Sequence, residues 1–228
     1  MGKIRFFPLS GNAMVHRMSK RSIEFYTGGP FQTNGYVIPF VEGDEVIVVD
    51  APEGITRWLI GHGHRVGAIL LTHLHYDHVI DVSALKKAFP EAPVMAYSQP
   101  NRDLTLETVL EGRVGWDIQI EPFSVDQILE GESSLKIGGE TIELLHVPGH
   151  SPDSLGFYFA DEAKFFAGDT LFDGSVGRAD FSHSDEELLR SGIRDKIYQL
   201  PDQTVVFPGH GGETSVGVEK RSNPFVRA

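Results

Sequence analysis

The chain has 228 residues, of which 40% are hydrophobic, and a formal net charge of −12 at pH 7. Its length suffices for a large core, and no Pro-, Gly- or Ser-rich linker divides it, so one domain over residues 1–228 is predicted. The acidic balance disfavours nucleic acid as a partner, because phosphate binding requires a basic surface. The lack of cysteine excludes disulfides and thiolate metal ligands.

Neither a signal peptide nor a membrane span is predicted. The start of the chain contains no apolar run of signal-peptide length. No apolar run elsewhere approaches the roughly 18 residues of a membrane-spanning helix. A cytoplasmic protein without a membrane partner is therefore expected.

Strands alternate with helices in the first half of the chain. Apolar runs at 35–41 and 45–50, separated by Glu-Gly-Asp, predict a hairpin. Residues 53–63 predict a short helix closed by glycine, and the continuous apolar run 66–72 predicts a strand covered on both faces. Apolar residues at helical spacing over 79–89 predict a second helix, which a proline ends.

The second half of the chain repeats this alternation. Ser184, followed by Glu187, predicts the capped start of a helix that runs to about Tyr198. Residues 99–134 show no periodicity from which structure can be predicted. Strands are predicted at four apolar runs: 141–147, 154–160, 163–169 and 204–208. The two halves together predict an α/β fold of sheets with helices on the outside.

The stretch THLHYDHVID, residues 72–81, combines three histidines with two aspartates directly after a predicted strand. Its H-x-H-x-D-H pattern consists of His73, His75, Asp77 and His78. Imidazole and carboxylate groups without thiols suit zinc, iron(II) or manganese. The stretch therefore predicts a metal site.

Three further ligand-type residues occupy equivalent places. His150, Asp169 and His210 each lie in a turn at the end of a predicted strand. Since the carboxyl ends of strands converge on the ligand site in open α/β sheets, these turns are expected to meet the H-x-H-x-D-H stretch. A catalytic metal takes about three protein ligands, so seven residues suffice for two ions and a bridge. A lone ion would leave the others buried and unpaired, at roughly 1–3 kcal/mol each.

These motifs resemble those of the metallo-β-lactamase superfamily, in which H-x-H-x-D-H, PGH, GDTLF and PGHG follow one another in this order. GRADF at 177–181 and the run at 208–225 resemble more closely its glyoxalase II-like branch. This branch contains the hydroxyacylglutathione hydrolases and their short relatives without a C-terminal helical domain. The resemblance implies a four-layer αβ/βα sandwich, with two mixed sheets and the site along one edge of both.

The resemblance also implies a role for each candidate residue. Asp50 would brace the metal loop from behind the ligands. Asp77 could accept a proton besides binding metal, and Arg178 could clamp a substrate carboxylate in bidentate fashion. Asp153 stands where many relatives carry glycine. The seven ligands fall into a set for the first metal, a set for the second metal and a bridge: His73, His75 and His150; Asp77, His78 and His210; and Asp169.

The implied function is a binuclear hydrolase that acts on a small-molecule thioester or ester. A hydroxide bridging two divalent ions would attack the carbonyl, with zinc expected and iron or manganese as alternatives. Two other enzymes share parts of the pattern: a mono-iron persulfide dioxygenase, whose relatives also carry GR-x-DF, and an acyl-homoserine lactonase. A β-lactamase is disfavoured, since no export signal is predicted. A metal-binding module without activity is a further alternative, and the oligomeric state stays open.

Five of the ten histidines lie outside the predicted ligand set. His62 and His64 follow a predicted helix end, and His146 is expected to pack near the site. His16 and His183 are expected on the surface.

Overall fold

The first half of the chain forms a sheet whose strands lie in chain order. The structure, a computed structural model, describes residues 21–110 and 120–227. The strands are β1 Glu24–Gly28, β2 Thr33–Pro39, β3 Val46–Val49, β4 Val66–Leu70, β5 Val94–Ala96 and β6 Gln127–Ile128. The first three pair antiparallel, and β3 to β6 pair in parallel. The valine- and isoleucine-rich β3 and β4 are buried almost completely, as parallel strands beneath helices require.

The second half forms another six-stranded sheet. Its strands are β7 Ser134–Ile137, β8 Glu140–His146, β9 Leu155–Phe159, β10 Lys164–Gly168, β13 Val205–Pro208 and β14 Thr214–Ser215. They lie in the order β14, β13, β10, β9, β8, β7, and only β10 and β13 of these described strands pair in parallel. A separate small hairpin consists of β11 Leu171–Phe172 and β12 Ser175–Val176.

Six α-helices are described: α1 Ile55–His62, α2 Tyr76–Val79, α3 Val82–Ala88, α4 Glu107–Leu110, α5 Glu186–Asp195 and α6 Val216–Ser222. Apolar residues of α1 and α3 pack on the outer face of the first sheet, and those of α5 and α6 pack on the second. No helix in the described ranges has both the length and the apolar character that a bilayer crossing demands.

The two sheets pack face to face around a shared apolar layer. Ile47, Val49 and Leu70 of the first sheet contact the same cluster as Phe157 and Phe166 of the second. Each such side chain contributes about 1.5–3 kcal/mol when it leaves water. With helices outside both sheets, the architecture is the four-layer αβ/βα sandwich that the family resemblance implies.

The helix predicted over 79–89 begins later than expected, at Val82. Asp81 separates it from α2, because the Asp81 N–H donates to the Ala51 carbonyl and the Asp81 side chain accepts from the Thr56 N–H. These contacts tie the end of the H-x-H-x-D-H stretch to α1. The second aspartate of that stretch therefore has a structural partner on α1.

The predicted cap of α5 is also corrected. The cap is Asp185, whose side chain accepts a hydrogen bond from the Leu188 N–H at 2.9 Å. The Ser184 hydroxyl instead donates to the carbonyl of His150 at 2.7 Å. The helix ends at Asp195, and a 3₁₀ turn follows, so the predicted end lies in that turn.

Several elements were not predicted. They are β1, β5, β7, β11, β12, β14, the helices α2 and α6 and, inside the uninterpreted 99–134, α4 and β6. Most are short, and β6 and β7 carry exposed polar positions, so their apolar pattern is weak. Residues 111–119 and His16 lie outside the described residues.

Candidate metal centre

All seven predicted ligands meet at the carboxyl ends of strands. His73 and His75 follow β4, and Asp77 and His78 lie on α2. The others follow strands of the second sheet: His150 after β8, Asp169 after β10 and His210 after β13. Residues distant in the chain therefore converge where the edges of the two sheets meet.

Three groups of side chains have the spacing of metal ligands, and one of them, His73, His78 and Asp169, links the other two. In each group the candidate ligand atoms lie within 4.8 Å of one another. The first set consists of His73, His75 and His150, and the second set consists of Asp77, His78 and His210.

Asp169 lies between the two sets. Its Oδ1 is 3.4 Å from Nε2 of His78. Its Oδ2 is 3.5 Å from Nε2 of His150 and 3.3 Å from Nε2 of His210. One carboxylate thus contacts histidines of both sets, which is the geometry expected of a bridge.

The residues fit divalent metal ions. Four buried ligand atoms have no hydrogen-bond partner within the described residues: Nε2 of His73, His78 and His150, and Oδ1 of Asp169. Leaving such atoms unpaired costs roughly 1–3 kcal/mol each unless another group binds them. Two ligands that hold one tetrahedral ion at about 2.1 Å stand about 3.4 Å apart, close to the separations around Asp169. Cations at the two sets would satisfy all four atoms.

The charges of the cluster also suit a cation. Burial would raise the pKa of Asp77, but His78 and hydrogen bonds from His210 and Thr33 lower it to about 2. Burial likewise opposes ionisation of Asp169, yet His78 and His210 hold its pKa well below the usual value. Both carboxylates are therefore anionic at neutral pH.

Burial lowers the pKa of the three histidines of the first set: His73, His75 and His150. They are neutral at physiological pH, and neutral imidazole is the form that binds metal. For His210, burial is outweighed by Asp169 and Asp77, which raise its pKa to about 10. A metal ion at the second set would therefore displace a proton from this ring.

Each imidazole has a hydrogen-bond partner on its outer edge. Nδ1 of His73 lies 3.1 Å from the Thr72 hydroxyl, and Nδ1 of His78 lies 2.8 Å from Asp50. The other outer partners are the Arg178 carbonyl for His150 at 2.7 Å, the Phe31 carbonyl for His210 at 3.0 Å, and Nε2 of His183 for His75 at 3.4 Å. Such partners fix the ring orientation and the tautomer. The inner nitrogen of each ring is thereby directed at the cluster.

The glycine of the PGHG turn is required by close packing. A Cβ at Gly209 would lie 2.2 Å from Oδ1 of Asp169 and 2.6 Å from Cε1 of His78. Any side chain here would displace the Asp169 carboxylate or the His78 ring.

Arg178 contacts the cluster through its backbone carbonyl, which bonds the ring of His150. The guanidinium is 67% exposed and pairs with Asp180, through Nε at 2.9 Å and Nη2 at 2.8 Å. Its Cζ lies 4.8 Å from the ring centroid of Phe181, which contacts the rings of His75 and His150. The guanidinium is therefore one aromatic ring away from the first set.

The sequence missed several supporting residues. His183, expected on the surface, is partly buried against His75, and Thr33 donates to Asp77 at 2.6 Å. Asp153 is buried and accepts from the Ser151 hydroxyl, and burial raises the pKa of Asp153 to about 6. The contacts of His183 and Thr33 join segments that are distant in sequence, so no local pattern reveals them.

The other histidines have partners outside the cluster. The ring of His62 lies 4.3 Å from that of Trp58, and its Nδ1 bonds the Trp58 carbonyl at 2.8 Å. His64 stacks on the same indole. His146 stacks on Tyr97 at 4.0 Å, in agreement with the predicted packing role.

The family model described as the metallo-beta-lactamase superfamily matches residues 28–210, which include all seven candidate ligands. The chain therefore belongs to this superfamily. It is 39% identical over 163 residues to the hydroxyacylglutathione hydrolase GloC of Haemophilus influenzae, covering 70% of this chain and 76% of GloC. This similarity groups the chain with the glyoxalase II-like members.

Two solved structures share both fold and sequence with the chain. The BLEG-1 B3 metallo-beta-lactamase is 36% identical, with a TM-score of 0.81 over 91% of this chain and 100% of BLEG-1. TTHA1623, solved in a di-iron-bound form, is 35% identical, with a TM-score of 0.75 over 89% of this chain and 100% of TTHA1623. Together with GloC, they indicate a metal-dependent enzyme of the hydrolase type.

Proposed function

We propose that the chain is a thioester hydrolase that depends on two divalent metal ions. The observation that carries this proposal is the group of buried, unpartnered ligand atoms that face one another around Asp169. Similarity to a hydroxyacylglutathione hydrolase supports the thioester class, and similarity to a di-iron-bound protein supports two metal positions. Zinc is the proposed metal, with iron or manganese as alternatives that suit the same donors.

We assign the ligands in two sets with a bridge. His73, His75 and His150 would hold the first ion, Asp77, His78 and His210 would hold the second, and Asp169, which lies close to histidines of both sets, would bridge them. With a pKa of about 2, Asp77 is a weak base, so we propose that it acts as a ligand and contributes little as a proton acceptor.

In the proposed reaction, water adds to the thioester carbonyl carbon and the C–S bond breaks, which releases a carboxylic acid and a thiol. When bound, the two cations supply Lewis acidity and lower the pKa of a water molecule at the site. The chain's own residues fix the geometry, because each imidazole is held on its outer edge by a partner such as Asp50 or the Arg178 carbonyl. No serine or cysteine nucleophile is needed.

We propose that the substrate carries a carboxylate or hydroxyl near the acyl carbon, as in 2-hydroxyacyl thioesters. Arg178 is the proposed contact, since its guanidinium stacks on Phe181, beside His75 and His150. A substrate carboxylate would replace Asp180, which is itself exposed, as the partner of the guanidinium. We also propose that the substrate is a small molecule and that the protein is located in the cytoplasm. Cell fractionation would test the location.

The test is restoration of activity to metal-stripped protein. The full chain is reloaded separately with Zn²⁺, Fe²⁺ and Mn²⁺ and assayed against a 2-hydroxyacyl-glutathione, a small neutral thioester and a lactone. We expect thioester hydrolysis to return with at least one metal and to exceed lactone hydrolysis. Oxygen uptake with a persulfide substrate, without thioester turnover, would instead establish the mono-iron dioxygenase alternative.

The second candidate is β-lactam hydrolysis, which the 36% identity to BLEG-1 favours. A chromogenic cephalosporin assayed on the same metal-loaded samples distinguishes the two activities. We expect thioester turnover to be the faster of the two. A faster cephalosporin reaction would reverse the order of the two candidates.

A further inference from the structure

The segment 31–34, at the start of β2, contacts two residues of the second set. The Thr33 hydroxyl donates to Oδ2 of Asp77 at 2.6 Å. Nδ1 of His210 donates to the Phe31 carbonyl at 3.0 Å, and Thr33 and His210 pair as an isolated antiparallel bridge. A short piece of the first sheet thus supports ligands that reach the cluster from α2 and from the second sheet.

Asn34 holds the turn that contains His210 in place through hydrogen bonds. Its backbone N–H donates to the Gly209 carbonyl at 2.8 Å, and its side-chain amide donates to the carbonyls of Pro208 at 3.1 Å and Gly211 at 3.0 Å. The Asn34 side chain is in turn held by the Thr27 hydroxyl at 2.8 Å. The position of the His210 turn therefore depends on β2.

The first set takes its outer partners from other segments. Thr72 supports His73, the loop before α5 supports His75 through His183, and the Arg178 carbonyl supports His150. Because the contacts of segment 31–34 described here reach ligands of the second set, a change in this segment is expected to affect the second set more than the first.

Thr33 donates to the carboxylate oxygen of Asp77 that lies close to two imidazoles of the second set. Oδ2, which accepts the hydroxyl hydrogen bond, is also the atom 3.3 Å from Nε2 of His210 and 3.6 Å from Nε2 of His78. Thr33 is fully buried, so solvent water is not available to replace its hydroxyl. Removing the hydroxyl would free the carboxylate to rotate away from the two imidazoles.

We infer that Thr33 is a positioning residue that sets the affinity of the second metal position. This inference rests on the proposed two-metal function. Partners that orient metal ligands typically account for 10–100-fold in metal affinity. The expected consequence of losing the hydroxyl is therefore weaker binding of the second ion by about 10–100-fold, with the first ion unaffected.

The experiment titrates Zn²⁺ into the metal-stripped full chain in competition with a chromophoric chelator. Wild type is compared with Thr33→Val, which keeps the shape of the side chain, and with Thr33→Ser, which keeps the hydroxyl. We expect Thr33→Val to weaken only the second Kd and Thr33→Ser to restore it. If Thr33→Val does not fold by circular dichroism, Thr33→Ala is used with the same expectation.

Thr204→Val is the matched control, because Thr204 is also fully buried and its hydroxyl has no hydrogen-bond partner in the described part of the chain. It should leave both dissociation constants unchanged. Equal losses of metal affinity in Thr33→Val and Thr204→Val would overturn the role assigned to Thr33 but not the proposed function. Two wild-type-like dissociation constants in Thr33→Val would do the same. A wild-type chain that binds only one ion overturns the proposed function as well.

Discussion

The carboxylate of Asp50 lies directly behind His78, with Oδ2 2.8 Å from Nδ1 of the ring. The same carboxylate accepts hydrogen bonds from the N–H of Thr72 at 2.8 Å and from its hydroxyl at 2.7 Å. Thr72 precedes His73 and contacts its Nδ1. One buried carboxylate therefore orients histidines of both sets without contacting the centre of the cluster.

Asp50→Asn is predicted to weaken metal binding about 10–100-fold. The asparagine amide keeps the size of the side chain. Its NH₂ group, however, would face one of the groups that now donate a hydrogen bond to Asp50. Chelator competition measures the affinity. Asp44→Asn is the control, because Asp44 is an exposed aspartate whose ion-pair partner is Arg65. Equal behaviour of the two variants would show that Asp50 does not support the cluster.

Asp169→Asn is predicted to lose metal and to slow hydrolysis by at least about 100-fold. The substitution keeps the shape of the side chain but removes the charge that lies between the two sets. Elemental analysis and thioester turnover report the two effects. His62→Ala, which removes a histidine stacked on Trp58, should change neither. A metal-replete and active Asp169→Asn enzyme would contradict the bridge.

Arg178→Ala is predicted to reduce kcat/KM about 10-fold for a carboxylated thioester and to leave a neutral thioester unaffected. The effect belongs at the low end for a charge-assisted bond, because the guanidinium is exposed and paired with Asp180. Metal content should not change, since the carbonyl that orients His150 remains in alanine. Arg178→Lys keeps the positive charge but loses the bidentate geometry of the guanidinium. Its kcat/KM for the carboxylated thioester should therefore lie between those of wild type and Arg178→Ala.

Arg65→Ala is the control for this pair of substitutions, because Arg65 is an exposed arginine that pairs with Asp44. It should leave the kinetics of both substrates as in wild type. Equal slowing of both thioesters by Arg178→Ala, or loss of metal, would make Arg178 a structural residue.

The stability of the protein should depend on pH through Asp153. Burial raises the pKa of this carboxyl from 3.8 to about 6, so the folded chain holds a proton that the unfolded chain releases. The contribution of Asp153 to the free energy of unfolding therefore falls as pH rises from about 4 to 6, by at most about 3 kcal/mol, and stays lower above that range.

Asp153→Asn removes this titration, so its stability relative to wild type should increase between about pH 4 and pH 7. Urea unfolding of both proteins across this range measures the difference. Asp161→Asn, at an exposed position, should show no comparable trend. A difference that stays constant with pH would mean that Asp153 is not protonated in the folded chain.

The convergence of the seven candidate ligands could be predicted because its signal is local. Their motifs follow the ends of apolar strands, and the carboxyl ends of strands meet by the geometry of the fold. The same holds for the buried strands β3, β4 and β9, whose apolar runs are continuous. Physical rules that operate over a few residues therefore predicted sheets with helices outside and the convergence of the cluster, whereas the four-layer sandwich followed from the family resemblance.

The supporting contacts could not be predicted, since they depend on packing between distant segments. Thr33 reaches Asp77 across 44 residues, and His183 reaches His75 across 108. Nothing beside either residue in the sequence marks the contact. The cap of α5 shows the same limit. The Ser184 hydroxyl donates to the His150 carbonyl, and Asp185 caps the helix instead.

The most direct test of the account is metal stoichiometry measured together with activity. Elemental analysis of the full chain after metal-replete purification should give two ions per chain, and stripping them should abolish thioester hydrolysis until they are restored. These results are expected because seven ligand-type side chains converge in two sets around Asp169. A fully active enzyme with a stable content of one ion per chain would contradict the two-metal hydrolase.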